Sequence, residues 1–434
     1  MLDRFKDHID NCFPHLKADK FILACSGGVD SVVLAHLCAA GGMDFIIAHC
    51  NFQLRGAESD KDEAFVRDLA VTLDKKIFVV HFQTMEYVIR HKLTVQIAAR
   101  KLRYSWFSEL MAENGIKTLV TAHHADDNLE TFLINLSRGT GIEGLTGIPE
   151  KTDTISRPLL PFSRTEIIDY ATDQDLVWRE DASNDDTKYL RNNIRHNIVP
   201  HLKALHPAFL KNFLRTQEYL ADTRSIAQAH IQRIKQQLFI REGDLEKVKI
   251  SSLLTLDPVR TYLFHFFRDY GFWQWDDIHG LLTATSGKEV HSATHRLLKD
   301  REYLILKEKT GNGSTVFNIA QDQIVIDAPM SMRFEQVDSI GEISPNILYV
   351  DKETLKYPLQ VRKWEKGDYF CPFGMVGKKK VSKFFKDSKI DAFSKEDQWL
   401  LCSDNKIVWV IGKRADDRFK VTERTNRILK IILE

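Results

Sequence analysis

The stretch Phe21–Ser31, FILACSGGVDS, constrains the fold of this chain more than any other. An apolar run ends at Cys25, two glycines follow, and the apolar VVLAHLCAA comes after Asp30 and Ser31. That order predicts a buried strand, a tight turn and a helix start. Gly27 and Gly28 let backbone N–H groups approach an anion closely. The helix start adds unpaired N–H donors and the positive end of a dipole. With the hydroxyls of Ser26 and Ser31, the string Ser26, Gly27, Gly28, Val29, Asp30, Ser31 predicts a phosphate or pyrophosphate cradle. A plain turn capped by Asp30 or Ser31 would explain a bare Ser-Gly-Gly, but it accounts less well for the whole string in this context. The lysine of an ordinary P-loop is absent, which excludes that motif.

The 434 residues suffice for two or three domains, and 43% hydrophobic with 28% charged residues fits a globular chain. The charged opening MLDRFKDHID does not read as a signal peptide, and no apolar run reaches membrane-spanning length. The six cysteines form no Cys-x-x-Cys pair, so neither a structural zinc nor an iron–sulfur site is indicated. Three lie in apolar runs and read as small core residues, and the cytoplasm is the expected compartment. A net charge of +1 means that any nucleic-acid partner must bind a local patch.

Strand-like and helix-like runs alternate through the first two hundred residues. Strands are expected at Asp44–Cys50, Lys76–Phe82 and Lys117–Ala122, and helices at Glu58–Leu73, Gln96–Asn114 and Asn128–Leu136. Such alternation predicts α/β architecture, a parallel sheet covered by helices, with ligands beyond the carboxyl ends of the strands. The Ser26 loop, His49 to Asn51, and His123 to Asp127 all fall at such ends. His49 is therefore a nucleotide-binding candidate. AHHADDNLET lacks the spacing of a metalloprotease but offers carboxylates to a hard cation, which magnesium shares with substrate phosphates. Asp30 and Asp127 are the expected magnesium ligands if their loops open on one sheet edge. Helix capping by Asp126 or Asp127 is the alternative. NFQLRGAESDKDEAFV sets Arg55 before an acid-rich helix start. RPLLP reads as an extended crossing, and Ser183, Asn184, Arg191, Asn192, Asn193, Arg195 and His196 form a dense polar set. A solvated helix face would look similar.

Residues 206–314 read as a mainly helical middle domain, with a small hairpin over Glu289–Lys307 and a linker at Thr310–Ser314. The aromatics of Asp257–Ala284 are expected to pack between helices rather than stack on bases. In the final domain, Leu355–Ile390 holds ten Lys or Arg against three Asp or Glu. Lys378, Lys379, Lys380 and Lys383 there adjoin Phe384 and Phe385. This suits an RNA backbone, or equally a lysine-rich helix over a Phe core. WLLCSDNKIVWVIG predicts a hairpin turning at Asp404-Asn405.

Taken together, SGGVDS, LRGAESDKDEAFV, AHHADDNLET, RPLLPFSRTEI and SNDDTKYLRNNIRHNIVP, in this order, resemble the tRNA(Ile)-lysidine synthetase family. That family lies within the wider group of SGGxDS-loop ATP pyrophosphatases, which also includes tRNA thiolation enzymes. Two departures stand out: Phe52 replaces a second histidine in HCNF, and Asp391 replaces a proline in KFFKDSKID. The resemblance implies an ATP-pyrophosphatase domain (adenine nucleotide alpha hydrolase-like) over 1–205, the helical domain over 206–314, and a small α+β tRNA-binding domain over 315–434. It implies a ligase that uses ATP and Mg2+ to join free L-lysine to carbon 2 of the wobble cytidine in the CAU anticodon of tRNA(Ile). AMP and pyrophosphate would be released. Asp30, Asp127 and Arg195 would be catalytic, while Arg55, Arg191, Lys378, Lys379, Lys380 and Lys383 would contact tRNA. No membrane partner is expected, and oligomeric state stays open, a homodimer being one option. A thiolation enzyme would need reactive cysteines, and a third alternative is a tRNA-binding protein whose nucleotide loop is regulatory.

Overall fold

Five short strands, β1 (Phe21–Ala24), β2 (Phe45–Asn51), β3 (Ile77–His81), β4 (Leu119–Val120) and β5 (Ile155–Ser156), form one parallel sheet in the order β3-β2-β1-β4-β5. A computed structural model describes residues 1–180, 190–309 and 316–434. Alternation along β1 sends Phe21 and Leu23 into one core with Val32, Leu34 and Phe45. Ile22 goes into another with Ile46, Phe107 and Leu110. Both sheet faces are thus buried, which is why the strands read as continuous apolar runs. The covering helices include α1 (Leu2–Cys12), α2 (Val29–Ala40), α3 (Ala57–Thr72), α4 (Thr84–His91), α5 (Val95–Glu113), α6 (Ala125–Ser137) and α7 (Arg164–Asp173).

The expected strands and helices of this region are present, shifted by one to three residues at their ends. The elements beyond those expected include α1, β5, α4 and α7. β5 lies at the start of the segment read as an extended crossing, and two residues carry no pattern. α4 is short and half-exposed. α7 begins at a Ser163–Glu166 capping box, visible in FSRTE as Ser followed three residues later by Glu.

The chain folds as two compact units, Met1–Gln228 and Ala229–Glu434. α8 (Phe209–Leu238) spans the division. Its first half belongs to the first unit because Phe213 packs with Leu129, Ile194 and Val199. The boundary expected at 205/206 therefore moves past the first turns of this helix.

In the second unit, β6 (Phe239–Glu242), β7 (Leu245–Lys249), β8 (Glu289–His291), β9 (His295–Asp300) and β10 (Tyr303–Glu308) make an antiparallel sheet. Helices α9 (Val259–Phe267) and α10 (Trp275–Leu281) pack on it. The middle region is thus richer in strand than its sequence suggests. The expected hairpin is β9–β10, and a second one, β6–β7, turns at Gly243 with φ +59°. Phe266, Phe267 and Phe272 fill its core as expected, whereas Trp273 is exposed. Phe393 from the last hundred residues packs with Leu245, Leu298 and Ile305, which joins the middle and final regions into one unit. The linker expected at Thr310–Ser314 lies outside the described residues.

The final region holds two antiparallel sheets and a small two-stranded ribbon. Its hairpin of β11 (Trp399–Ser403) and β12 (Lys406–Val410) turns at Asp404 and Asn405, both with positive φ, as the sequence predicts. No helix among the described residues is long and apolar enough to cross a membrane.

Candidate active site

The strand order reverses at β1, which pairs with β2 on one side and β4 on the other. Ligands of such sheets sit at that switch point, beyond the carboxyl ends of the strands. The Ser26–Ser31 loop leaves β1 there, and His123–Asp127 leaves β4 beside it. Gly27 adopts φ +89°, and an added Cβ would meet Val66 Cγ2 at 3.2 Å and Phe65 Cδ1 at 3.4 Å. Only glycine fits both the conformation and the close approach to α3. The Gly27 carbonyl accepts from the Arg179 N–H at 3.0 Å.

Ser31 is buried, and its hydroxyl donates to the Gly28 carbonyl at 2.9 Å. It also accepts from the Ser26 N–H at 3.2 Å. Ser31 thus braces the loop, with its hydroxyl engaged inside it. The anion donors left in the first turn of α2 are the N–H groups of Val29 and Asp30, because those of Ser31 and Val32 donate to the Gly28 carbonyl at 3.1 and 3.0 Å. His49 is also buried, with Nδ1 2.9 Å from the Cys25 carbonyl. A carbonyl only accepts, so Nδ1 carries the proton and Nε2 is left as an acceptor. Burial pushes its pKa down, and the neutral ring supports the end of β1.

Asp30 and Asp127 come together on one imidazole. His124 Nε2 lies 3.6 Å from Asp30 Oδ1 and 3.5 Å from Asp127 Oδ2. His124 is itself the cap of α6: its Nδ1 accepts from the Asp127 N–H, while Asp127 Oδ2 accepts from the His124 N–H. With Nδ1 as acceptor, the Nε2 proton points toward the carboxylates. Capping, the alternative reading of this segment, and convergence of the carboxylates are therefore both present. The N-cap residue is a buried histidine, and Asp127 closes the capping box from the third helical position. Asp126 turns away, accepting from the Arg164 N–H at 2.8 Å and pairing with Lys203.

Three arginines complete the cluster. Arg164 reaches Asp30 Oδ2 at 3.4 Å. Arg191 and Arg195 each lie 3.3 Å from Asp127 Oδ1, and both bind Glu130, at 2.7 and 2.6 Å through Nε. Glu130 is 1% exposed and sits one helical turn after Asp127. Arg195 lies on a π-helical turn, Ile194–Ile198, a form frequent at functional sites. Arg191, expected to contact tRNA, and Arg195, expected to be catalytic, thus belong to one carboxylate-bound pair. Arg55 is likewise engaged, 2.6 Å from Asp62, which also binds Arg179 at 2.8 Å. Ser183 and Asn184 lie outside the described residues.

Burial raises the Asp30 pKa, and the Asp127 charge adds to the rise. His124 and Arg164 oppose it. Burial also acts upward on Asp127, but His124, Arg191 and His123 outweigh it and its pKa falls. Two neighbouring carboxylates are thereby pushed in opposite directions, a pattern concentrated at functional sites. Asp30 Oδ1 is buried and has no hydrogen-bond partner. A buried, unsatisfied carboxylate oxygen next to a second carboxylate fits a hard divalent cation such as Mg2+.

The lysine-rich stretch lies in the second unit. Lys379 and Lys380 form a ribbon strand, and Lys383 lies on α11 (Val381–Asp387). Lys378, Lys380 and Lys383 are exposed. Lys379 pairs with Asp387 at 2.8 Å. Phe385 is fully buried and Phe384 packs against it, so neither aromatic is offered to a base. Asp391 caps the next helix, α12 (Ala392–Glu396), accepting from the Ser394 N–H at 2.9 Å. A stable turn thus survives where the family carries proline.

A PP-loop domain model matches residues 1–202, a TilS substrate binding domain model 241–309, and a TilS substrate C-terminal domain model 359–431. A tRNA(Ile)-lysidine synthase of Parabacteroides distasonis is 37% identical over 94% of both chains. Those of Bacteroides thetaiotaomicron and Geobacter sulfurreducens are 36% and 30% identical, over 95% and 93% of this chain and 95% and 91% of theirs. The chain belongs to the tRNA(Ile)-lysidine synthase family. It is accordingly an enzyme that modifies tRNA in an ATP-dependent reaction.

His124, Glu130, Arg164 and Arg179 were not singled out by the sequence as site residues. Glu130 carried a usable signal, since it lies three residues after Asp127 on the same helix. His124 was hidden by its neighbour His123. Arg164 and Arg179 are far from their partners in sequence, so only the fold reveals them.

Proposed function

We propose that this chain joins the side-chain amine of free L-lysine to carbon 2 of the wobble cytidine in tRNA(Ile) bearing a CAU anticodon. The product would read as isoleucine in place of methionine. The observation that carries the reading is the meeting of Asp30 and Asp127 on His124 beside the Ser26–Ser31 loop. In the first step the oxygen on carbon 2 attacks the α-phosphorus of ATP, and the bond to pyrophosphate breaks. The N–H groups of Val29 and Asp30 hold the departing anion. In the second step the lysine amine attacks carbon 2 and loses a proton. The carbon–oxygen bond then breaks, and AMP leaves with that oxygen.

Arg195 is well suited to face the phosphate. Burial acts to lower its pKa, but Glu130 and Asp127 more than reverse this, so it remains a cation throughout. Asp30 and Asp127 would hold Mg2+, which supplies charge neutralisation on the triphosphate. Lys378, Lys379, Lys380 and Lys383 would grip the RNA backbone, with Lys379 first leaving Asp387. The middle and final regions are the natural readers of tRNA features that distinguish tRNA(Ile) from elongator tRNA(Met). Free lysine, tRNA and ATP meet in the cytoplasm, the compartment this reading requires.

Thiolation is disfavoured. The thiols of Cys25 and Cys38 are buried and pushed up, and burial raises Cys50 to about 12 and Cys402 to about 11. None of these is a thiolate near neutral pH. The test is incubation with ATP, radiolabelled lysine and a tRNA(Ile) transcript bearing CAU. Lysine in the tRNA is the expected result. Sulfur transfer would assign the thiolation chemistry, and binding without turnover would leave only a tRNA-binding protein.

A further inference from the structure

A second set of ligating side chains lies in the first unit, formed by His8, Cys12 and Glu150. His8 and Cys12 are four residues apart on α1, so they share one helix face. Glu150 comes from the segment before β5, where its carbonyl accepts from the Arg157 N–H at 2.9 Å. One donor atom from each residue lies within 4.8 Å of the other two. Tetrahedral zinc has bonds of about 2.0–2.3 Å, which places its donors roughly 3.3–3.7 Å apart. Closing the set around an ion therefore needs donor-atom shifts on the order of 1 Å.

The His8 ring is ready for such a role. It is held edge-on against Phe13 and Phe162, with centroids at 5.4 and 6.4 Å. Its Nε2 is buried and lacks a hydrogen-bond partner. Glu150 Oε1 lies 2.9 Å away, yet outside the direction in which an N–H at that nitrogen could donate. The His8–Glu150 contact thus places two of the three donor atoms side by side without a hydrogen bond between them. Sulfur, imidazole nitrogen and one carboxylate oxygen form a donor set suited to zinc rather than to magnesium. The exposed side of Cys12 leaves the fourth position to water.

We propose that His8, Cys12 and Glu150 form a zinc site that fastens the end of α1 to the segment preceding β5. The site is separate from the Asp30–Asp127 cluster and does not depend on the reaction proposed there. Sequence spacing hides it, because one cysteine and one histidine on a helix are completed by a residue 138 positions further along.

The test uses the full chain, stripped with chelator, kept reduced, and titrated with CoCl2 in excess MgCl2. Cobalt bound to a thiolate gives a charge-transfer band that the oxygen-only cluster cannot produce. The expected result is a band saturating at one equivalent and displaced by ZnCl2. It should vanish in Cys12→Ser and persist in Cys371→Ser. Glu150→Gln and His8→Gln should each weaken zinc binding by roughly tenfold or more. ATP binding by each variant reports that it is folded, and Glu150→Gln keeps the test usable if His8→Gln unfolds. No band, a band that survives Cys12→Ser, or zinc affinity unchanged in Glu150→Gln would overturn the proposal.

Discussion

The two regions assigned to catalysis and to RNA differ in how their charges are held. Around Asp30 and Asp127, every charged group touches a partner from another element, and much of the cluster is buried. At Lys378–Lys383 the charges stand on a short ribbon and helix over a Phe core, and most face solvent. Buried paired charges are costly to disturb singly, whereas exposed lysines act additively and yield to salt. The first arrangement suits fixed transition-state geometry, and the second suits a grip on a polyanion.

The largest effect should come from breaking the buried cluster. Asp127→Asn is expected to lower lysine transfer by roughly a thousandfold or more, with ATP still bound and the fold retained, because Glu130 continues to hold both arginines. Near-normal turnover would remove Asp127 from the site. Next in size is the exposed patch. Replacing Lys378, Lys380 and Lys383 together by Glu should weaken tRNA binding by roughly ten- to a hundredfold. The slope of log affinity against log salt should fall by about two to three, with ATP binding unchanged. Charge reversal is preferable to truncation after Tyr357, since Ile347–Asp351 pairs with Ile428–Leu433 and the cut would open the sheet.

A smaller effect concerns pH. Burial lowers His123 from its ordinary value to about 4. Between pH 6.5 and 4 the unfolded chain therefore binds a proton that the folded chain does not, so stability falls as pH falls through this window. The loss should reach about 1–3 kcal/mol by denaturant unfolding, and His123→Gln should flatten it. Smallest is Gly27→Ala, expected to cost about 1–2 kcal/mol because φ +89° and the 3.2 Å approach to Val66 both resist a Cβ. An unchanged melting temperature would mean that the loop relaxes away from α3.

The parallel sheet was legible because Phe21–Ala24 and residues 45–48 are buried on both faces and so carry unbroken apolar runs. Asp30 and Asp127 were legible because each follows a strand at the switch point of the sheet. What escaped was pairing across long separations: Arg164 with Asp30, Glu130 with Arg191 and Arg195. Local periodicity says nothing about such partners. The bracing role of Ser31 was not legible, because a hydroxyl looks the same in sequence whether it faces solvent or, as here, the carbonyl of Gly28. The sheet of the middle region was underread because its strands are three to six residues long and lie between strongly helical segments.

The division of labour between the two regions is tested most directly by single-turnover lysine transfer at saturating tRNA. The triple lysine-to-glutamate variant should return to within about threefold of the unsubstituted chain once tRNA is saturating, because only binding is weakened. Asp127→Asn should remain roughly a thousandfold down at any tRNA concentration. If saturating tRNA rescued Asp127→Asn, or left the lysine variant equally impaired, the buried cluster would not be the seat of the chemistry.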